Sequence, residues 1–540
     1  MTNPDFLWWR DGVVYHLYLR SFADRNGDGL GDLPGLISHL DHLNGRDDSL
    51  GIDAIWISPF YPSPDKDFGY DVADYTTIDS RYGTLADFDR LVQAAHARGI
   101  RVVLDLVLNH TSDHHPWFLD SRASRSSPHR DWYLWRDPRP GGHPPNNWQA
   151  MFGGRGWQWD ETTRQFYFHM FLQEQPDLNW RNPEVRQAMM DVVRLWLDRG
   201  VDGFRLDVFS AWYKHADLPD NPPRLGLRAY DRQRHLYDIF QPELNEALME
   251  FRRILDSYPE RAAVGEPFGL DARSYAGCST DDKLHLVFNF ELPACRWRPA
   301  AFLRAILRSE EAFREQGWPG YVLSNHDLPR HISRYGGPHP DAVAKVAAAV
   351  LLTLRGTPFI YYGEELGLPD TPLRRHQIVD PPGRRYWPLY KGRDAARTPM
   401  PWDGSLHGGF TTGSPWLPLH PDYPRRNVAA QRQDPHSVFS FYRSLLRLRR
   451  ASTALRRGSF QPLTLHPRRG LAYLRASSEE AALVALNFSS RPLRLRLDAD
   501  PPDTEWNLAL SSLVSPVASI SSREIDLGPY EAAIFLGRKA

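Results

Sequence analysis

A parallel (β/α)8 TIM barrel, carrying a lid domain inserted after its third strand and an antiparallel β-sandwich at its C-terminal end, is the α/β fold that the sequence predicts. Three observations lead there. Eight strand-like runs alternate with helical segments through most of the 540 residues, which is the pattern of strands joined by crossover helices. Between Thr111 and Glu174 that alternation is interrupted by a long aromatic, Gly/Pro-rich stretch, too long for a simple loop. Beyond Gly458 the helical pattern gives way to short alternating runs such as LAYLRAS, AALVALNF and LRLRLDA, the period of half-buried strands. The expected organisation is a barrel over 1–110 and 175–457, an inserted lid over 111–174 and an all-β domain over 458–540.

The strand candidates are VVYHLYLRSF (13–22), DAIWISPF (53–60), RVVLDLVLNH (101–110), GFRLDVF (203–209), AAVGEPF (262–268), LHLVFNF (284–290), YVLSNHD (321–327) and PFIYYGEE (358–365). Several are almost continuously apolar, as strands covered on both faces should be. Helical periodicity marks GLISHLDHL, LADFDRLVQAAHARG, PEVRQAMMDVVRLWLDRG, PELNEALMEFRRILDSY, PAAFLRAILRSEEAFREQG, AVAKVAAAVLLTLRG and SVFSFYRSLLRLRR. The helix after the fifth strand is poorly marked, near Ser274–Gly277, and the Arg/Pro-rich stretch 366–435 reads as a loop over the barrel mouth.

Composition narrows the function. A formal net charge of −1 and a pI near 7.1 provide no field for nucleic acid or an anionic membrane. The N-terminal MTNPDFLWWRDG lacks the basic-then-apolar order of a signal peptide, and the longest apolar stretch, Ala342–Leu354, is too short to span a bilayer. Two cysteines, Cys278 and Cys295, read as reduced thiols. A cytoplasmic protein without a membrane partner, a monomer or weak homo-oligomer, is the expectation.

Polar groups collect where the strand candidates end: Asn109–His110, Arg205–Asp207, Glu266 and His326–Asp327. The C-terminal rim of such a barrel is where its chemistry sits. Three acids on three rims can serve a metal or a glycosidic bond. No HExxH motif occurs, and the crowded His110, His114 and His115 read better as one pocket histidine and two loop histidines than as zinc ligands. Glycoside cleavage needs one carboxylate as nucleophile and one carboxylic acid as proton donor, with pKa values split by their surroundings. Arg205 precedes Asp207 by two residues, so both point to one strand face, where Arg205 should keep Asp207 ionised. Glu266, followed by Pro267 and Phe268, has neighbours that favour its protonated form. Asp207 as nucleophile and Glu266 as acid/base is therefore the expected division.

At these residues the chain resembles the α-amylase superfamily, glycoside hydrolase family 13, and within it the α-glucosidase and oligo-1,6-glucosidase branch. The matching blocks are DLVLNH (105–110), QPDLNW (175–180), GFRLDV (203–208), VGEPF (264–268) and LSNHD (323–327), with WWRDGVVYHLYLRSFADRNGDGLGDLPG, KDFGYDVADY and RTPMPW extending the likeness along the chain. The resemblance implies a retaining, exo-acting α-glucosidase with small α-glucosides as substrates. In that reading Asp327 is a third, transition-state carboxylate, and His110 and His326 bind hydroxyls of the first glucose. Asp67 pairs with Arg397 at a closed pocket floor, Tyr70 stacks on the glucose, and Phe152, Phe171 and Gln175 line the entrance. Val208 after the nucleophile favours α-1,6 linkages, with α-1,4 substrates, sucrose, trehalose and aryl glucosides also open, and transfer to an acceptor can replace hydrolysis. The sequence lacks the loop pattern of sucrose isomerases, and GEPF differs from the GEAN of trehalose synthases. Rival readings are a dedicated glucosyltransferase of the same family and a transporter-associated, non-catalytic homologue, which would carry a membrane helix and lack catalytic acids.

The stretch FADRNGDGLGDLPG (22–35) begins like an EF-hand loop, but its twelfth position counted from Asp24 is Gly35, where a calcium sensor needs a bidentate acid. Oxygens of Asp24, Asn26, Asp28 and Asp32 with the Leu30 carbonyl are expected to enclose one structural Ca2+ or Mg2+, as the resemblance also implies. No organic cofactor is expected.

Overall fold

The computed structural model describes residues 6–268, 272–502, 504–521 and 523–538; the first five residues of the expected barrel lie outside them. Eight strands close into a parallel barrel: Val14–Leu17, Ala54–Ile57, Arg101–Leu106, Gly203–Leu206, Ala262–Gly265, Leu286–Asn289, Pro319–Tyr321 and Thr357–Tyr361. The last pairs with the first through Val14 opposite Phe359. Alternate side chains from these strands, among them Val14, Trp56, Val103, Val264, Phe288 and Phe359, fill the barrel interior, while the opposite faces pack under the outer helices.

The helices start where their sequences say they should. Thr84 and Asp87 form a reciprocal capping box on Leu85–His96, and Asn182 caps Pro183–Asp198 with Pro183 in the first turn. GLISHLDHL departs from the expectation of one helix: it divides at His39 into Leu33–Ser38 and Leu40–Leu43. The weakly marked helix after the fifth strand is Ala272–Ala276.

All eight barrel strands end earlier than the runs expected for them, the first and seventh most tellingly. VVYHLYLRSF is strand only over Val14–Leu17 before turning into a 3-10 segment at Leu19–Ser21, and the seventh strand stops at Tyr321, so that Leu323 to Asp327 lie on the rim loop. The segment 111–174 carries the helix Pro116–Ala123 and a three-stranded antiparallel sheet of Trp135–Arg136, Gln165–Phe168 and Trp157–Asp160. C-terminal to the helix Thr453–Arg457, a five-stranded and a three-stranded antiparallel sheet enclose Leu463, Leu474, Leu483, Leu495, Ile525 and Phe535. No described helix is long and apolar enough to cross a membrane.

Candidate active site

Strand register brings the charged groups together. Asp105 on the third strand lies opposite Arg205 on the fourth, and Arg205 lies opposite Val264 on the fifth. Alternation then points Asp105, Arg205, Asp207 and Glu266 into the top of the barrel. Arg205 is fully buried and its guanidinium is the hub. One terminal nitrogen, Nη1, donates to Asp105 Oδ1 and to Asp207 Oδ1, each at 2.6 Å. The other, Nη2, donates to Glu266. The ring of Trp56 lies 5.1 Å beneath it.

This differs from the sequence expectation, in which Arg205 served Asp207 alone. A guanidinium presents a planar fork, and the fifth strand brings Glu266 onto its second prong, so Arg205 does not by itself separate the two acids. Burial pushes both carboxyls up, Asp207 well above the usual carboxylate range; Arg205 opposes that shift, and each acid's negative neighbours reinforce it. Burial likewise raises Asp105 to about 6 against the pull of Arg205. Asp207 and Glu266 therefore keep protons to higher pH than isolated carboxylates do.

Asp327 has the opposite electrostatics. Although burial opposes it, the guanidinium groups of Arg393, Arg397 and Arg205 hold its carboxyl well below the usual range. Its Oδ1 accepts from Arg397 at 2.9 Å and from Arg393 at 3.1 Å. It is a fixed negative charge on the cavity wall.

The expected Asp67–Arg397 pair is corrected here. Asp67 Oδ1 accepts from Arg393 at 2.6 Å and its Oδ2 from Gln175 at 3.2 Å. Arg397 turns instead to the His326 carbonyl at 2.7 Å and to Asp327. Arg393 reaches Asp67 because its own side chain is drawn inward by Asp380, with Nε and Nη2 at 3.0 and 2.7 Å. Asp105 and Arg393 are the two site residues that reading the sequence missed. Asp105 had a signal, its place as the first residue of the DLVLNH block, opposite Arg205 in the barrel. Arg393 had none, being one arginine among several in an irregular loop.

The remaining expected residues take these places. Tyr70 donates to Asp105 Oδ2 at 3.0 Å and meets His326 Nε2 at 2.7 Å, its ring stacked on that of His326 at 5.2 Å. Left-handed backbone at Phe68 and Gly69 (φ 52° and 101°) forms the turn that presents Asp67 and Tyr70 together. Burial and the surrounding arginines keep His326 neutral, its pKa well below 6.5, the Asp327 charge notwithstanding. His110 accepts from Asn109 Nδ2 at Nδ1, 3.2 Å, and donates through Nε2 to the Tyr70 carbonyl, 3.0 Å. Phe171 packs on His110 and on Phe152, and Arg393 lies over the Phe152 ring at 4.9 Å.

A cavity of about 630 Å³ joins them, lined by Asp67, Tyr70, His110, Phe152, Phe171, Asp207, Glu266, Asp327 and Arg393 among others. Gln175, Arg205, His326 and Arg397 stand behind that lining and orient it. Val208, also on the wall, has φ 34° and ψ 40°, a left-handed conformation that strains a β-branched residue. The strain turns the chain sharply after Asp207 into the 3-10 segment Phe209–Ala211.

The first loop lies away from this cavity. Asp24 accepts from the N–H groups of Gly27 and Gly29, both at 2.8 Å, Asn26 from Asp28 and Asp28 from Leu30. Asp32 caps the helix Leu33–Ser38 through Gly35 N–H at 2.6 Å and accepts from Arg25 and Asn26. The donors suit a hard cation in kind, but each side chain already accepts loop N–H groups. Among the described residues no group of three His, Cys, Asp or Glu side chains stands ready to hold a metal.

A barrel of this topology with three acids converging on its rim suits glycoside cleavage, and the chain belongs to the α-amylase family: residues 16–458 match the model described as the α-amylase catalytic domain. A probable α-glucosidase of Rhizobium meliloti (strain 1021) is 45% identical over 91% of each chain. An oligo-1,6-glucosidase of Heyndrickxia coagulans is 41% identical over 98% of this chain and 99% of its own. Among solved structures, the α-glucosyl transfer enzyme XgtA superposes with a TM-score of 0.93 at 42% identity, covering 99% of this chain and 100% of that one. The trehalulose synthase MutB of Pseudomonas mesoacidophila MX-45 gives 0.90 at 37%, with the same coverage. The protein is a glycoside hydrolase of this family.

Proposed function

We propose that the protein is a retaining, exo-acting α-glucosidase that removes terminal glucose from short α-glucosides. The observation that carries this is the single Arg205 guanidinium gripping both Asp207 and Glu266. A shared guanidinium brings the two carboxyls near each other, and a covalent mechanism needs them about 5–5.5 Å apart. Asp207 attacks the anomeric carbon while the proton held by the pair leaves through Glu266 to the glycosidic oxygen. Water, deprotonated by Glu266, then releases glucose with its α configuration retained. The oxocarbenium-like charge that develops lies beside Asp327, already ionised. Exo-action is supported by the floor, where Arg393 ties Asp67, Asp327 and Asp380 together.

The test is a product assay on maltose, isomaltose, sucrose and trehalose, with the anomer followed by NMR. Glucose appearing first as the α-anomer is expected. The β-anomer first, or new oligosaccharides without free glucose, would reject the reading. The similarity to XgtA and MutB makes a dedicated glucosyltransferase the second reading, decided by the same assay.

Linkage is the finer question. The methyl groups of Val208 lie on the cavity wall, and Val208→Thr is expected to move the isomaltose-to-maltose ratio of kcat/KM toward maltose by about 10-fold, the scale of one group in a pocket. An unmoved ratio would remove Val208 from the specificity determinants.

A calcium or magnesium ion in the first loop belongs to the same proposal, with a structural role held by Asp24, Asn26, Asp28, the Leu30 carbonyl and, where its capping bonds allow, Asp32. Chelation is expected to lower Tm by several degrees with little change in turnover at 25 °C. A Tm unchanged in the Asp24→Ala/Asp28→Ala double variant would refute it. A cytoplasmic location agrees with Cys278 and Cys295 being unpaired thiols.

A further inference from the structure

His16 stands in the middle of the first strand. Alternation from Val14, which fills the barrel interior, turns its side chain inward. Strand register sets it between Trp56 on the second strand and Tyr361 on the eighth. Its ring stacks on that of Trp56 at 3.6 Å and 12° and lies 4.9 Å from that of Tyr361. It meets the ring of His326 at 84°, with centroids 5.2 Å apart. His16 is 2% exposed, and a ring packed on Trp56 needs no nitrogen to do so.

The hydrogen bonds around His326 assign its tautomer. Asp105 Oδ2 accepts from Trp56 Nε1 at 3.2 Å and from the Tyr70 hydroxyl at 3.0 Å. With its one proton spent there, Tyr70 offers His326 Nε2 only an acceptor, at 2.7 Å. Oδ2 of the ionised Asp327 is a second acceptor, 3.3 Å from the same nitrogen. Nε2 therefore carries the single proton of the neutral ring, and Nδ1 is a bare acceptor. That Nδ1 is buried and, among the described residues, has no hydrogen-bond partner. His16 Nε2 is in the same position. So is the hydroxyl of Tyr18, whose ring runs parallel to that of His326 at 6.0 Å. A buried polar group left unmatched is strongly disfavoured, and a buried water that joins such groups makes about three hydrogen bonds.

We propose that His16 is a positioning residue for the glucose subsite, its Nε2–H holding His326 Nδ1 through one buried water. The role in catalysis rests on the α-glucosidase reading above. A neutral imidazole has one N–H, on either nitrogen, and only the Nε2–H form of His326 donates to Tyr70 and Asp327. The Nδ1–H form would turn a lone pair toward the Asp327 carboxylate and leave the Tyr70 oxygen without its donor. A water that accepts from His16 and donates to Nδ1 stabilises the first form against the second. It also anchors the back of a ring whose front sets Tyr70 and Asp327 on the cavity wall.

A crystal structure of the unliganded protein tests the bridge directly. One ordered water within hydrogen-bond distance of both His16 Nε2 and His326 Nδ1 is expected, and two nitrogens that share none overturn the proposal. Kinetics on 4-nitrophenyl α-glucoside separate positioning from packing. His16→Phe keeps a flat ring on Trp56 and removes the N–H. Its kcat is expected to fall by about 10-fold or more, the scale of a small misplacement in an active site, with a smaller change in KM. His16→Gln restores an N–H donor without the ring and is expected to recover most of kcat, although it packs less well on Trp56. A His16 that only fills space gives the reverse order, Phe above Gln. That order, or a parental kcat in His16→Phe, overturns the proposal. No nitrophenol release by the parent protein would overturn the α-glucosidase reading instead, and the crystal structure would still decide the bridge.

Discussion

An Asp207→Asn variant is expected to fold, to melt at a higher temperature than the parent at pH 7, and to lose roughly 10⁴-fold or more of its turnover, the scale of removing a covalent nucleophile. The loss follows from chemistry: an amide cannot form the glucosyl ester. The stability gain follows from position. Burial, with the negative charges of Glu266, Asp105 and Asp327, raises the Asp207 carboxyl in the folded state despite Arg205. A carboxyl whose folded pKa lies above its unfolded value of about 3.9 weakens folding as pH rises through that interval, because the folded state binds the extra proton. Removing it therefore stabilises above that interval, and the advantage disappears on acidification below about pH 4. Differential scanning calorimetry at pH 7 and pH 4 reads this directly. Near-parental turnover by Asp207→Asn would remove it as nucleophile, and a lower Tm at pH 7 would mean that the bond from Arg205 outweighs burial and repulsion.

The barrel was legible because strands covered on both faces must be apolar along their length, as in AIWI and VVLDL. The same property blurred their ends. VVYHLYLRSF stays apolar beyond Leu17 because loops covering the rim bury Tyr18, Leu19 and Phe22 as fully as the barrel buries Tyr15, and burial alone cannot tell a strand from the turn that follows it. The three acids were legible for a related reason: an acid that closes an apolar strand has few purely structural explanations. Their mutual electrostatics were not. Whether Arg205 serves one acid or two depends on the register between the fourth and fifth strands, which a linear sequence does not contain. The partner of Asp67 was hidden further, since Arg384, Arg385, Arg393 and Arg397 share one arginine-rich stretch, the first two on the short helix Pro381–Tyr386. Only the inward pull of Asp380 selects Arg393.

That selection leads to the second large effect. Arg393→Ala is expected to destabilise the protein by about 3–5 kcal/mol, the range for breaking a buried ion pair on one side, and to raise KM more than it lowers kcat. Arg393 bonds Asp380, Asp67 and Asp327 at 2.7, 2.6 and 3.1 Å. After its removal Asp327 keeps Arg397 at 2.9 Å and Asp67 keeps Gln175. Among the described residues, Asp380, whose side chain is 0% exposed, keeps only the N–H of residue 393; it is the stranded charge, and it carries most of the stability loss. The effect on KM comes from Asp67, which loses the contact that aims it into the glucose subsite, and from Phe152, which loses the guanidinium above its ring. The pH profile supplies an independent readout. Arg393 is one of the cations that hold Asp327 well below the usual carboxylate range. Activity that needs ionised Asp327 persists while pH stays above its folded pKa, so raising that pKa makes activity fall at a higher pH on acidification. Arg393→Lys should recover part of the stability and little of the KM, because one ammonium cannot bridge three carboxylates as a planar fork does. A parental Tm and KM in Arg393→Ala would return Asp67 to Arg397, the partner that the chain's own motifs suggested first.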